Sequence, residues 1–193
     1  MANVPLATEA WPEENVATKA CNGGQVFLLF VKQRLKDDNP ELISQLSFLS
    51  TAQAKENVEL KHVCAGLEDV ARHFLNSKHR KLTRDEAMAH SLDVKEQDFK
   101  SIVQEVLAAA TQNVSEHIIV VFFFLYDYVM RMYSKGIAKM DQVLGWCQTA
   151  VVEGIDPKVT QVGGWAHVFS KKKPKQRPQS SSSLFSRLLF WRK

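Results

Sequence analysis

Ile118 to Tyr126 is nine consecutive apolar or aromatic residues, Ile-Ile-Val-Val-Phe-Phe-Phe-Leu-Tyr, and the run continues through Val129, Met130 and Tyr133. A helix that is apolar on every side has to be buried all round. The β-branched and aromatic content also suits a central strand, yet no other segment supplies a sheet for it to join. The consistent solution is a central helix wrapped by amphipathic ones. At roughly 1.5–3 kcal/mol for each large side chain fully buried, this helix dominates the core energetics. The expected fold class is all-α, a helical bundle with a buried apolar central helix.

The rest of the chain supplies the wrapping. Gln25 to Lys36 sets Val26, Leu29, Phe30 and Val31 against Lys32, Arg34 and Lys36. Asp37-Asp38-Asn39-Pro40 breaks that helix, and Pro40 suits the start of a short one over Glu41 to Leu49. A long amphipathic stretch runs from about Ala54 to Leu75. Thr83-Arg84-Asp85-Glu86 reads as an N-cap with acidic residues in the first turn, opening a short helix to His90. Phe99, Ile102, Val103, Val106 and Leu107 mark another amphipathic helix. Gly136 ends the central helix, and Met140 to Glu153 gives a further one. Asp156-Pro157 starts a short helix with the Asp as cap, Gly163-Gly164 interrupts, and Trp165 to Phe169 forms a last apolar turn.

Charge divides the chain. From Lys171 onward there are eight basic residues and no acidic one, so the net +4 of the whole leaves −4 on the rest. Residues 1–19 are expected to be a flexible N-terminus, 20–170 the bundle, and 171–193 a basic linker with a short amphipathic end. No apolar run reaches the roughly 18–20 residues that span a bilayer as a helix. The N-terminus carries Glu9, Glu13 and Glu14 and lacks a signal-peptide pattern. Cys21, Cys64 and Cys147 are widely spaced, which points to free thiols in a reducing compartment. Cytoplasm is the default.

Three segments carry a resemblance. Val162-Gly163-Gly164-Trp165-Ala166-His167-Val168-Phe169 looks like the second homology motif of the Bcl-2 family, in which a short helix ends at Gly-Gly-Trp and another begins. Leu144-Gly145-Trp146 resembles the Gly-Trp of Bax-like members. The helix from Ile118 aligns with the apolar run that follows the family's first homology motif. The resemblance covers about residues 20–170. It implies a Bcl-2-like helical bundle that regulates apoptosis through contacts with other Bcl-2 family proteins, with a slight lean to the death-promoting, Bax-like side. A pro-survival member is the runner-up.

The family's third, or death, motif has apolar residues at i, i+4, i+7 and i+11, a small residue at i+8 and Asp at i+9. Val63, Leu67, Val70 and Phe74 with Ala71 satisfy it, except that Arg72 stands where Asp belongs. A second register keeps Asp69 but takes Leu60, Cys64, Leu67 and Ala71 as its apolar set and Glu68 as its small residue. The first is preferred, because apolar register is what seats a helix in a groove. In the first-motif region, Glu116 and His117 replace the family's Gly and Arg ahead of Ile118 and Ile119. Both halves of the usual ion pair are absent, and Arg72 with Glu116 could form a charge-reversed substitute.

Plainer readings stand beside these. The stripe on Val63 to Phe74 is equally a core-facing helix side, and His117 a polar residue at a helix start. His62, Cys64 and His73 have poor spacing for zinc. Cys147 lacks a base and reads as a structural thiol. No phosphate loop, nucleophile elbow or carboxylate pair appears, so neither catalysis nor a cofactor or metal is expected. The tail, Lys171, Lys172, Lys173, Lys175 and Arg177 followed by Leu184, Phe185, Leu188, Leu189, Phe190 and Trp191, reads as a reversible anchor on anionic membranes. Its apolar end is eight residues, about 12 Å as a helix, too short to span. The expected location is therefore cytoplasmic with peripheral association to the mitochondrial outer or endoplasmic reticulum membrane. A nuclear signal in Lys171 to Arg177 competes with this, and nucleic acid is not an expected partner because aromatics are not interleaved with the charges.

Overall fold

The computed structural model describes residues 21–46, 58–92, 95–108, 113–136 and 140–170. These form α1 (Gly23–Asp38), α2 (Glu41–Gln45), α3 (Val58–Leu75), α4 (Lys78–Ala89), α5 (Glu96–Ala108), α6 (Val114–Ser134), α7 (Met140–Gly154), α8 (Asp156–Gln161) and α9 (Trp165–Val168). No strand occurs among the described residues. The protein is all-α.

The central helix is α6. From His117 to Val129 every residue except Val120 is buried. The apolar run explains this directly, since no rotation of such a helix gives it a wet face. Phe27 and Phe30 of α1 pack edge-on or tilted against Phe122, with ring centroids 5.2 and 5.4 Å away. α3, α4, α5 and α7 also pack on α6, and α1 lies along α7. Toward its C-terminal end the burial lapses: Met130 is half-buried and Tyr133 exposed, so the all-round apolar character stops before the last turn.

The sequence-based boundaries hold within a few residues where caps are present. Asn22 caps α1 by accepting from the backbone N–H of Gln25, which starts the helix two residues before the apolar pattern does. Asn113 does the same for α6 through Ser115. Two expected caps are corrected. Thr83 does not open a helix: α4 begins at Lys78 after Ser77, and the buried Thr83 hydroxyl donates to the carbonyl of His79 inside it. The basic run Lys78-His79-Arg80-Lys81 has no apolar periodicity to announce a helix. Nor is Asp156 the cap of α8, because it is the first helical residue and its carboxylate is committed elsewhere. Of the segment expected over Glu41 to Leu49, residues 41–45 are helical, and Phe48 and Leu49 lie outside the described residues.

Candidate functional site

α3 carries the stripe that resembles a death motif, and its burial decides what that stripe can touch. Val63, Leu67 and Ala71 are buried in the core, while Val70 and Phe74 are half-buried and Arg72 is exposed. Leu60 is buried as well, and Cys64 half-buried. The inward face, Leu60, Val63, Leu67 and Ala71, thus takes members from both sequence registers. Phe74 stacks on Phe123 of α6 with ring centroids 5.1 Å apart. Gly66, between Val63 and Leu67, lets the residue after α9 approach: a Cβ there would collide with the carbonyl oxygen of Phe169. No sequence signal singled out this glycine, because the close approach joins residues a hundred positions apart.

The charge-reversed substitute does not form. Arg72 lies 3.8 Å from both Glu68 and Asp69 on its own helix. It is two-thirds exposed, and such pairs are worth at most about 1 kcal/mol. Glu116 is an exposed residue in the first turn of α6, and His117 next to it, also at the helix start, is buried. Ile118 and Ile119 are fully buried.

The ion pair that ties this region together was not legible beforehand. Arg80 of α4 forms a two-pronged pair with Asp127, which is 6% exposed in the middle of α6. The Arg80 guanidinium also lies 4.6 Å from the centre of the Phe123 ring. Neighbouring polar groups on α6 are committed too. The Tyr126 hydroxyl donates to Asp38 at 2.7 Å, the Tyr128 hydroxyl to the Ser91 carbonyl at 2.6 Å, and Arg131 to the carbonyls of Ala87 and His90 at the end of α4. Burial, then the hydrogen bond to Asp38, pushes the Tyr126 phenol up, which favours the protonated form that donates to Asp38.

At the opposite end of the core, Gly163 and Gly164 take φ of +100° and +91°, a backbone region that L side chains rarely adopt. Their turn delivers Trp165 into the core at 4% exposure, where it lies 6.4 Å from Phe122 and 6.1 Å from Phe169 by ring centroid. Its indole N–H donates to Asp156 at 2.8 Å, and the same carboxylate accepts from the backbone N–H of Gly23 at 2.9 and 3.1 Å. One carboxylate therefore joins the starts of α1, α8 and α9. In contrast, Gly145 of the Gly145-Trp146 pair has no steric duty, since a Cβ there meets nothing within 4 Å. Trp146 packs half-buried against Phe99, centroids 5.7 Å apart.

Between α1 and α3 lies an open trough of about 460 Å³ with Leu29, Phe30, Leu67 and Ala71 in its floor and Cys64 beside them. Burial pushes the Cys64 thiol up to about 11 and Cys21, at the entrance to α1, up to about 12. Burial also raises Cys147, which is fully enclosed. All three are free thiols and poor nucleophiles near neutrality. Among the described residues no group of three or more His, Cys, Asp or Glu is placed to hold a metal, and no helix is long and apolar enough to cross a membrane. The tail residues Lys171, Lys172, Lys173, Lys175, Arg177, Leu184, Phe185, Leu188, Leu189, Phe190 and Trp191 lie outside the described residues. Comparison of the chain with protein-family models, curated proteins and solved structures finds no match.

Proposed function

We propose that the protein is a Bcl-2-like regulator of apoptosis that works by protein contact and not by catalysis, with a lean toward promoting death. The observation that carries this reading is the meeting of two segments that resemble the family. The Gly163-Gly164 turn seats Trp165 on Phe122 of an enclosed central helix. The partners are other proteins of the same family. They meet the α3 stripe, and since Val63, Leu67 and Ala71 are buried, that meeting requires α3 to leave the core. The basic, apolar-ended tail brings the protein to anionic mitochondrial or reticulum membranes.

Inducible expression in cultured cells, scoring cytochrome c release, tests the reading. Release above the vector control is expected. Protection against an apoptotic stimulus places the protein on the pro-survival side, and no effect in either direction overturns the apoptotic function. The eight basic residues of the tail favour a second reading, a peripheral lipid-binding bundle without death activity. Salt-sensitive sedimentation with anionic but not neutral vesicles, combined with no effect on cell death, would support it.

A further inference from the structure

The trough between α1 and α3 has Leu67 and Ala71 of the stripe in its floor and takes no part in the Asp156 junction. Its volume lies within the roughly 300–1,000 Å³ of binding pockets. Its apolar floor is flanked by Lys32, Arg34 and Lys36 from α1 and Lys61 from α3, against a single acidic neighbour, Glu68. Arg34 is paired with Asp37 and Glu68 with Arg72, while Lys36 and Lys61 are exposed on opposite walls. Such a surface suits an acidic segment with an apolar anchor.

This chain contains one. Residues 4–14, Val-Pro-Leu-Ala-Thr-Glu-Ala-Trp-Pro-Glu-Glu, hold three carboxylates, no basic residue, and Leu6 and Trp11 as apolar anchors. The segment joins the bundle just ahead of α1, the helix that forms one wall. We propose that residues 4–14 dock in the α1–α3 trough, with Trp11 on its apolar floor and Glu13 and Glu14 beside Lys36 and Lys61.

The geometry of the chain permits it. Trp11 lies ten residues before Cys21, a reach of at most about 33 Å when extended. The trough begins about 9 Å and ends about 20 Å along α1 from Gly23, so the connection has slack. A tether this short gives an effective concentration on the order of millimolar, which makes a weak contact sufficient. Docking there bridges α1 and α3. The proposal concerns a contact within this chain and does not depend on the apoptotic reading.

Fluorine NMR of the full chain labelled with 5-fluorotryptophan tests it, with Trp11→Phe assigning the Trp11 signal among the four tryptophans. In the wild type at low salt, the Trp11 signal should show a much smaller H₂O/D₂O shift than a free tryptophan. The exposed charge reversals Lys36→Glu and Lys61→Glu together should remove at least half of that protection. Adding Glu13→Lys and Glu14→Lys to the same chain should restore it. Glu13→Lys with Glu14→Lys alone, lying outside every described helix, should release Trp11 without touching the bundle. A solvent-exposed Trp11 in the wild type, or protection indifferent to these charges, overturns the proposal. Protection that grows with protein concentration also overturns it, since a second copy's segment would then be the occupant.

Discussion

α6 and α3 are both long helices that touch the core, yet they are held in opposite ways. α6 is enclosed from His117 to Val129, apart from a half-buried Val120, and its Tyr126, Asp127 and Tyr128 side chains are bound to α1, α4 and Ser91 just after α4. α3 buries one face and keeps Glu68, Asp69, Arg72 and His73 in water. Removing α6 would expose all of its rings, whereas α3 gives up only a stripe. The helix that makes the bundle is thus not the one best suited to leave it. A partner that binds the α3 stripe competes with a one-sided contact, a far smaller barrier than unpacking the centre.

The largest expected effect comes from putting a charge into α6. Phe122 is surrounded by Phe27, Phe30 and Trp165, and among the described residues no cation stands over its ring. Phe122→Asp should abolish cooperative folding, because an unpaired buried carboxylate has nothing to offset its desolvation. Phe123 is the weaker probe, since Arg80 stands over its ring. A sharp helical melting transition by circular dichroism in the Phe122→Asp protein would break the contrast between the two helices.

A smaller loss follows from the buried pair. Asp127→Ala leaves the Arg80 guanidinium enclosed without its carboxylate and should cost about 3–5 kcal/mol in urea unfolding. Replacing both partners with Leu should recover most of that loss, because the uncompensated charge is gone. A double substitution as costly as the single one would mean that the pair contributes net stability and not only register.

The smallest effect on stability belongs to α3. Arg72→Asp changes an exposed residue and should move the unfolding free energy by no more than about 0.5 kcal/mol. The same change in a peptide of residues 58–78 should strengthen binding to a pro-survival Bcl-2 groove by about 1–3 kcal/mol, as hydrogen bonds to charged groups do. Calorimetry on the two peptides decides it. Equal affinities would show that Arg72 does not occupy the position where the family carries Asp.

Much of the architecture was legible in the residues because it follows from local rules. Nine apolar residues in a row leave a helix no exposed face, and paired glycines permit the positive φ that turns α8 into α9. What stayed hidden depends on partners distant in sequence. Asp127, an acid within an apolar helix, is matched by Arg80, 47 positions away, which no local rule announces. Asp156 looked like a cap until it reached Gly23, 133 positions away. Arg72 and Glu116 looked like a pair, but side chains three and four apart on one helix are neighbours by construction, and Arg72 found Glu68 and Asp69 first. The stripe on α3 shows the same division. Its helical period is a property of the sequence, while the choice of Leu60, Val63, Leu67 and Ala71 as its inward face was made by the core that α6 and α1 present to it. Periodicity is written in neighbouring residues, but burial of a charge or a face is a balance of desolvation against contacts that only the assembled bundle supplies.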